Sequence, residues 1–218
     1  MLINCGPQTD QRILNFNLPF YNNFKHENLY KKLTKLQKNY RIGILVSGGL
    51  DSALLYYLLL LENQNTESKF NITPYTILRK EGSRYYAIKV INYINSLFNI
   101  KPTELNIVGD NSLPEIQQVE SGVSDVLKYN DYIYLGIIDS RPEHLVGWNK
   151  PNFVETIRRK YPLIGLQKCH IIDLIYKFNL SKLFEITHSC IQNEITPCKL
   201  CNGCMERNWG FTMLNCKI

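Results

Sequence analysis

The apolar run Ile42-Gly43-Ile44-Leu45-Val46 leads at once into Ser47-Gly48-Gly49-Leu50-Asp51-Ser52, and a long apolar stretch follows through about Glu62. No other feature constrains the fold as much. The first run reads as a buried strand and the last as a helix. Two adjacent glycines let the backbone between them turn tightly and approach a ligand with no Cβ in the way. The helix start supplies N–H groups and a positive dipole end, to which Ser47 and Ser52 add hydroxyls, a combination that suits phosphate or pyrophosphate. A plain turn with an N-cap is the simpler alternative. The run is not a Walker A loop, which needs a Gly-Lys-Ser/Thr ending. An aspartate inside an anion site repels phosphate unless a cation lies between them, so Asp51 is a candidate Mg²⁺ contact.

Further along, strands and helices alternate. Strands are predicted at 73–78, 103–108 and 132–138, with helices at 85–98 and near 114–127. This pattern implies an α/β fold, a doubly wound parallel sheet covered on both faces. Ligands in such a sheet sit at the carboxyl ends of the strands, which is where Ser47 begins. The 218 residues, 44% of them hydrophobic and 20% charged, suit one globular domain with a sizeable core. Residues 1–25 are polar and Asn-rich, and Leu29, Leu33 and Leu36 give 26–39 a helical period. No apolar run reaches the roughly 18 residues of a membrane helix. The start, Met1-Leu2-Ile3-Asn4-Cys5, lacks a basic flank and apolar core, so a cytoplasmic location is expected. A net charge of +6 suits an anionic ligand such as a nucleotide, but is as common on ordinary surfaces; nucleic acid is not expected as a partner.

Four of the seven cysteines, Cys190, Cys198, Cys201 and Cys204, fall within fifteen residues, whereas Cys5, Cys169 and Cys216 are scattered. Such short spacings favour a metal over disulfides, and four thiolates match tetrahedral Zn²⁺ at about 2.3 Å. With four protein ligands the site has no open position and is expected to be structural. An iron–sulfur cluster also takes four cysteines and is the competing reading.

Ser47-Gly48-Gly49-Leu50-Asp51-Ser52 resembles the SGGxDS signature of the PP-loop ATP pyrophosphatases, a superfamily of amide-forming synthetases, tRNA thiolases and deazaguanine-modifying enzymes. The resemblance implies an adenine nucleotide alpha hydrolase-like fold that releases pyrophosphate from ATP and leaves AMP on a carboxylate or carbonyl. The stretch from Pro162 to Phe211 resembles 7-cyano-7-deazaguanine synthase. Pro162, Leu163, Leu166 and Lys168 are similar to its approach to a helix. Thr187, Ser189 and Cys190 match its Thr-Trp-Ser-Cys, with His188 replacing the tryptophan. Cys198, Cys201, Cys204, Arg207, Gly210 and Phe211 match its C-terminal zinc signature.

By resemblance, Ser47, Gly48, Gly49, Leu50, Asp51 and Ser52 hold the pyrophosphate of ATP with Mg²⁺. Ser47, Asp51 and Lys168 serve catalysis, with Lys168 as a mobile cation toward the phosphates. Its plain alternative is a solvated surface lysine. Cys190, Cys198, Cys201 and Cys204 hold Zn²⁺. The expected partners are a 7-carboxy-7-deazaguanine and ammonia, with a homodimer as the family's assembly. The organisation implied is an extension over 1–40, a nucleotide-binding α/β domain over 41–185, and a zinc-binding segment over 186–218 packed on the same domain.

The middle of the chain departs from the family. Leu78-Arg79-Lys80-Glu81-Gly82-Ser83-Arg84 is basic where the family has Asp-Tyr-Gly and a His-x-x-Glu-like run. The Pro-Gly-Arg-Asn segment has no recognisable counterpart, and Asp139-Ser140-Arg141-Pro142-Glu143 matches the substrate loop only in part. His144, Trp148 and Asn149 are candidate pocket residues, and Arg79 and Arg84 candidate anion contacts. These departures lie where the purine would be read. They leave open two alternatives: the same adenylation joining a deazaguanine to a protein amine, as in phage defence, and a tRNA-modifying enzyme.

Overall fold

The computed structural model describes residues 40–65, 70–77, 83–138, 156–193 and 195–216. The helix expected at 26–39, Arg79, and the loop carrying His144, Trp148 and Asn149 lie outside these residues, as does the side chain of Arg84.

Five strands form one sheet in the order β3-β2-β1-β4-β5, and every pairing is parallel. They are β1 (Arg41–Leu45), β2 (Asn71–Ile77), β3 (Asn106–Val108), β4 (Tyr132–Leu135) and β5 (Arg159–Lys160). The helices are α1 (Leu50–Asn65), α2 (Ser83–Leu97), α3 (Glu115–Tyr129), α4 (Lys168–Lys177), the short α5 (Leu183–Ile186) and α6 (Asn202–Met213).

The two-residue period of β1 divides the core. Ile42, Ile44 and Val46 face one side, where α1, α2 and α4 contribute Leu54, Leu58, Val90, Ile94, Ile171 and Ile175, and α6 contributes Phe211. Leu45 faces the other side, with Ile133 and Leu135 of β4 and Val123 and Val126 of α3. Helices therefore cover both faces, as a doubly wound sheet requires. The inter-helix contacts on the first face include a 2.6 Å hydrogen bond that Tyr56 donates to Asn95.

β1 is central, with β2 on one side and β4 on the other. The chain order reverses between β1 and β4, and open α/β sheets take their ligands at the carboxyl ends of the strands beside such a point. The sheet departs from expectation at several points. β3 begins at Asn106 rather than Thr103, β4 stops at Leu135 rather than Ile138, and β5 was not foreseen. Arg158, just ahead of β5, donates to the carbonyls of Leu127, Asn130 and Asp131. It thereby caps the C-terminus of α3, where a cation is favoured, and ties the edge strand to the layer beneath. Among the described residues no helix is long and apolar enough to cross a membrane.

Candidate active site

Ser47, Gly48 and Gly49 occupy the turn between β1 and α1, at the carboxyl end of the central strand. The turn is held by its own hydroxyls. The backbone N–H of Ser47 donates to Ser52 Oγ at 3.1 Å, the two serine oxygens lie 3.1 Å apart, and Ser52 Oγ donates to the Gly49 carbonyl at 3.2 Å. Ser52 is buried in this network and Ser47 is exposed. Leu50 sends its side chain into the core, leaving only its backbone at the loop.

The two glycines do different work. Gly48 has φ +82, and a Cβ there would lie 2.7 Å from Tyr86 Cβ and 2.9 Å from the Ala87 backbone nitrogen. It is the position where the turn reverses against α2. At Gly49 a Cβ would make ordinary contacts, with Ser47 Oγ at 3.5 Å and the His188 carbonyl oxygen at 3.7 Å, so the position tolerates a side chain. The first-turn N–H groups of α1 have no carbonyl one turn earlier within the helix and face the space in front of it. Such an arrangement of N–H groups can receive an anion.

Asp51 lies in the first turn of α1, and both its oxygens accept hydrogen bonds of 2.6 Å from Lys168 Nζ. Lys168 opens α4 and its side chain is 4% exposed, so it is neither solvated nor on the surface. Its ammonium also lies 3.3 Å from Glu206 of α6. Burial works against the charge on Lys168, but Asp51 and Glu206 more than offset it and hold the group above its ordinary value. Gly210 lets α6 close over the lysine stem, since a Cβ there would come within 2.9 Å of Lys168 Cγ. The helix start itself is fixed by a capping box between Gln167 and His170, in which His170 Nδ1 accepts from the Gln167 N–H at 2.9 Å. His170, which the sequence gives no ligand role, is buried here; burial drives its pKa down from 6.5 to about 4.

The C-terminal segment closes the other side of the loop. The His188 N–H donates to the Gly48 carbonyl at 3.0 Å, and the His188 ring stacks on Tyr86 with centroids 4.4 Å apart. Arg207 of α6 braces this stretch, donating to Phe184 O at 2.5 Å, to Thr187 Oγ1 at 3.1 Å and to Ser189 Oγ at 3.4 Å. Burial pulls the Arg207 guanidinium below its usual value, and the Asp51 charge opposes that shift.

Cys190, Cys198, Cys201 and Cys204 come together beside this brace, with all four sulfurs within 4.8 Å of one another. Cys201 and Cys190 have sulfurs 3.9 Å apart, close to the edge of about 3.8 Å that four bonds of about 2.3 Å to a single tetrahedral ion impose. Backbone N–H groups of Cys198 and Cys201 point at the sulfurs of Cys190 and Cys198, at 3.4 and 3.3 Å, which suits thiolates. The donor set fits a single four-coordinate metal ion. A cluster of several irons spreads its thiolates further apart.

Residues 136–215 match the family model described as QueC, queuosine biosynthesis protein QueC. That span holds Lys168, all four clustered cysteines, Glu206 and Arg207. Over that span the chain is similar to the QueC family. Its SGGxDS run lies upstream of the matched span and adds the PP-loop signature. No curated protein matches the chain. Among solved structures, it is similar to the U34-tRNA thiolase NcsA from Methanococcus maripaludis with its [4Fe-4S] cluster. The two are 15% identical with a TM-score of 0.43, over 87% of this chain and 76% of that one.

The loop residues and Lys168, far apart in sequence, thus meet at one place, with the four cysteines grouped beside them. Sequence reasoning did not find Glu206 or Tyr86. It read His188 only as a departure from a motif and Arg207 only as part of one, without seeing that both tie the C-terminal segment to the loop.

Proposed function

We propose that the chain is an ATP pyrophosphatase that adenylates the carboxylate of a 7-carboxy-7-deazaguanine-type substrate for conversion to an amide or nitrile. The observation that carries this reading is the Lys168–Asp51 pair. Lys168, inside the QueC-matched span, crosses 117 positions to meet the aspartate of the SGGxDS loop, joining both halves of the signature in one site.

In the reaction, a carboxylate oxygen of the substrate forms a bond to the α-phosphorus of ATP while the bond from that phosphorus to the bridging oxygen breaks. Pyrophosphate leaves with that electron pair. Ammonia then forms the C–N bond, loses a proton, and AMP departs to leave the amide. The backbone N–H groups from Gly49 onward and the Ser47 hydroxyl bind and orient the leaving pyrophosphate. Mg²⁺, when bound, supplies charge neutralisation for the polyphosphate, and Asp51 is the residue that would hold it. Lys168 supplies a fixed cation beside the loop, where excluded water strengthens its field. The four cysteines hold Zn²⁺ as a structural ion that fixes the start of α6 and, through Arg207, the segment covering the loop.

Purified protein supplied with ATP, Mg²⁺, ammonia and 7-carboxy-7-deazaguanine is expected to form AMP, pyrophosphate and an amide or nitrile differing from the acid by gain of ammonia and loss of one or two waters. Pyrophosphate release only with a protein amine or a tRNA as acceptor would keep the ATP chemistry and replace the substrate. Visible absorbance from iron in the as-purified protein would replace zinc.

A further inference from the structure

The carbonyl of Gly48 and the N–H of Gly49 belong to one planar trans peptide and point in opposite directions. Whatever holds that carbonyl therefore aims that N–H. The hold comes from the C-terminal segment, where the His188 N–H donates to the Gly48 carbonyl at 3.0 Å. On the other side of the peptide, the Gly49 N–H meets Ser47 Oγ at a long 3.4 Å. A peptide flanked by two glycines rotates readily as a unit, because neither residue has a Cβ to oppose the change. Rotated, it would turn a carbonyl oxygen toward the space in front of α1 and its N–H away. An anion there would lose a donor and meet a repulsive dipole instead.

His188 is itself fixed from several directions. Its ring stacks on Tyr86 with centroids 4.4 Å apart and planes 12° from parallel. Tyr86 also backs the turn, since a Cβ on Gly48 would come within 2.7 Å of Tyr86 Cβ. His188 Nε2 lies 2.6 Å from the Asn193 carbonyl, and a carbonyl can only accept, so Nε2 is the donor. Asn193 lies between Cys190 and Cys198, which ties the ring to the loop that the cysteines close. On either side of His188, the hydroxyls of Thr187 and Ser189 accept from Arg207. One residue thus joins α2, the cysteine loop and the Gly48 carbonyl.

We propose that His188 is a positioning residue that locks the Gly48–Gly49 peptide with its N–H toward the bound polyphosphate. This rests on the reading of the loop as the pyrophosphate site. The donor is aimed before the anion arrives, so binding requires no rotation of the peptide.

The test compares two variants of the full-length, metal-loaded protein. His188→Ala removes the ring contacts and keeps the N–H. His188→Pro removes the N–H itself. Thr187, at φ −95 and ψ 153, already has the extended backbone that a following proline requires. Calorimetric titration with Mg·pyrophosphate and with Mg·ATP should show both ligands weakened to the same extent. The expected loss is on the order of tenfold in His188→Ala and a hundredfold in His188→Pro, as befits a hydrogen bond to a charged group. A second readout is the amide resonance of Gly49 in protein labelled with ¹⁵N-glycine, identified by its absence in Gly49→Ala. It should move on addition of Mg·pyrophosphate to the unaltered protein and stay at its free position in His188→Ala. Unchanged affinity for both ligands overturns the assignment. So does a loss confined to ATP, which would place His188 at the base. A lowered melting temperature with the Gly49 resonance still moving would reduce His188 to a structural role and overturn it too. Failure of the unaltered protein to bind either ligand removes the reading of the loop as well.

Discussion

Alanine at Gly48 and at Gly49 is the same chemical change one residue apart, and the geometry gives the two opposite outcomes. At Gly48 the backbone has φ +82, where an L-residue is disfavoured by about 1–2 kcal/mol. The new Cβ would also lie 2.7 Å from Tyr86 Cβ and 2.9 Å from the Ala87 nitrogen. Both are attached to the first turns of α2 and cannot swing aside like the end of a flexible side chain, so overpacking adds about 1–3 kcal/mol. The sum is roughly 2–5 kcal/mol, which for a chain of this size lowers the melting temperature by about 4–20 °C. At Gly49 the nearest atoms are 3.5 and 3.7 Å away and φ is ordinary, so Gly49→Ala should keep its stability to within about 1 kcal/mol. Its methyl group would stand between Ser47 Oγ and the His188 carbonyl, within the loop proposed to hold the polyphosphate, so binding of Mg·ATP should weaken on the order of a hundredfold. Urea unfolding of both variants, with calorimetric titration of Mg·ATP into Gly49→Ala, measures both effects. A Gly48→Ala protein as stable as the parent, or a Gly49→Ala protein that binds Mg·ATP with unchanged affinity, would refute the division of roles.

Three further outcomes follow from the site. Lys168→Met leaves the buried Glu206 and the half-buried Asp51 without their shared cation, and should cost about 3–5 kcal/mol in denaturant unfolding at neutral pH. His170 is buried neutral, with its pKa lowered from 6.5 to about 4. Its stabilisation is therefore complete above pH 6.5 and is lost as the pH falls toward 4, by about 3 kcal/mol in all. His170→Asn, which keeps an acceptor for the Gln167 N–H, should flatten the stability profile across that window; an unchanged profile would remove His170 from the account. Removing the metal with a chelator, or Cys201→Ser, should cause a large loss of thermal stability, because metal binding to such a site contributes on the order of 10–16 kcal/mol. Mass spectrometry of the intact native protein should show one ion lost per chain.

The β1–loop–α1 unit was legible in the sequence because each part is local. An apolar strand, a glycine pair and an apolar helix specify one another within about twenty residues. The elements that strayed are those set by distant partners. Tyr132 to Ile138 is apolar throughout, yet β4 ends at Leu135 because Gly136 must pass the first turn of α1, where a Cβ would lie 2.7 Å from the Ser52 backbone nitrogen. β5 is two basic residues at the sheet edge, Arg159 and Lys160, and carries no strand pattern at all. Glu206 sits between Cys204 and Arg207 and reads as one more polar residue on an exposed helix face. Only packing against Lys168, 38 positions away, reveals its burial. The sequence could raise the charge problem at Asp51, but the identity of its partner required the fold.

The most direct measurement follows the fate of ATP, supplied with Mg²⁺ and a carboxylate acceptor to protein whose four-cysteine site is loaded, by separating phosphorus-containing products. Cleavage between the α- and β-phosphates gives AMP and pyrophosphate in equal amounts, and Asp51→Ala should abolish both while the protein stays folded. Formation of ADP and phosphate, or no consumption of ATP with any carboxylate, protein amine or tRNA acceptor tried, would contradict the account.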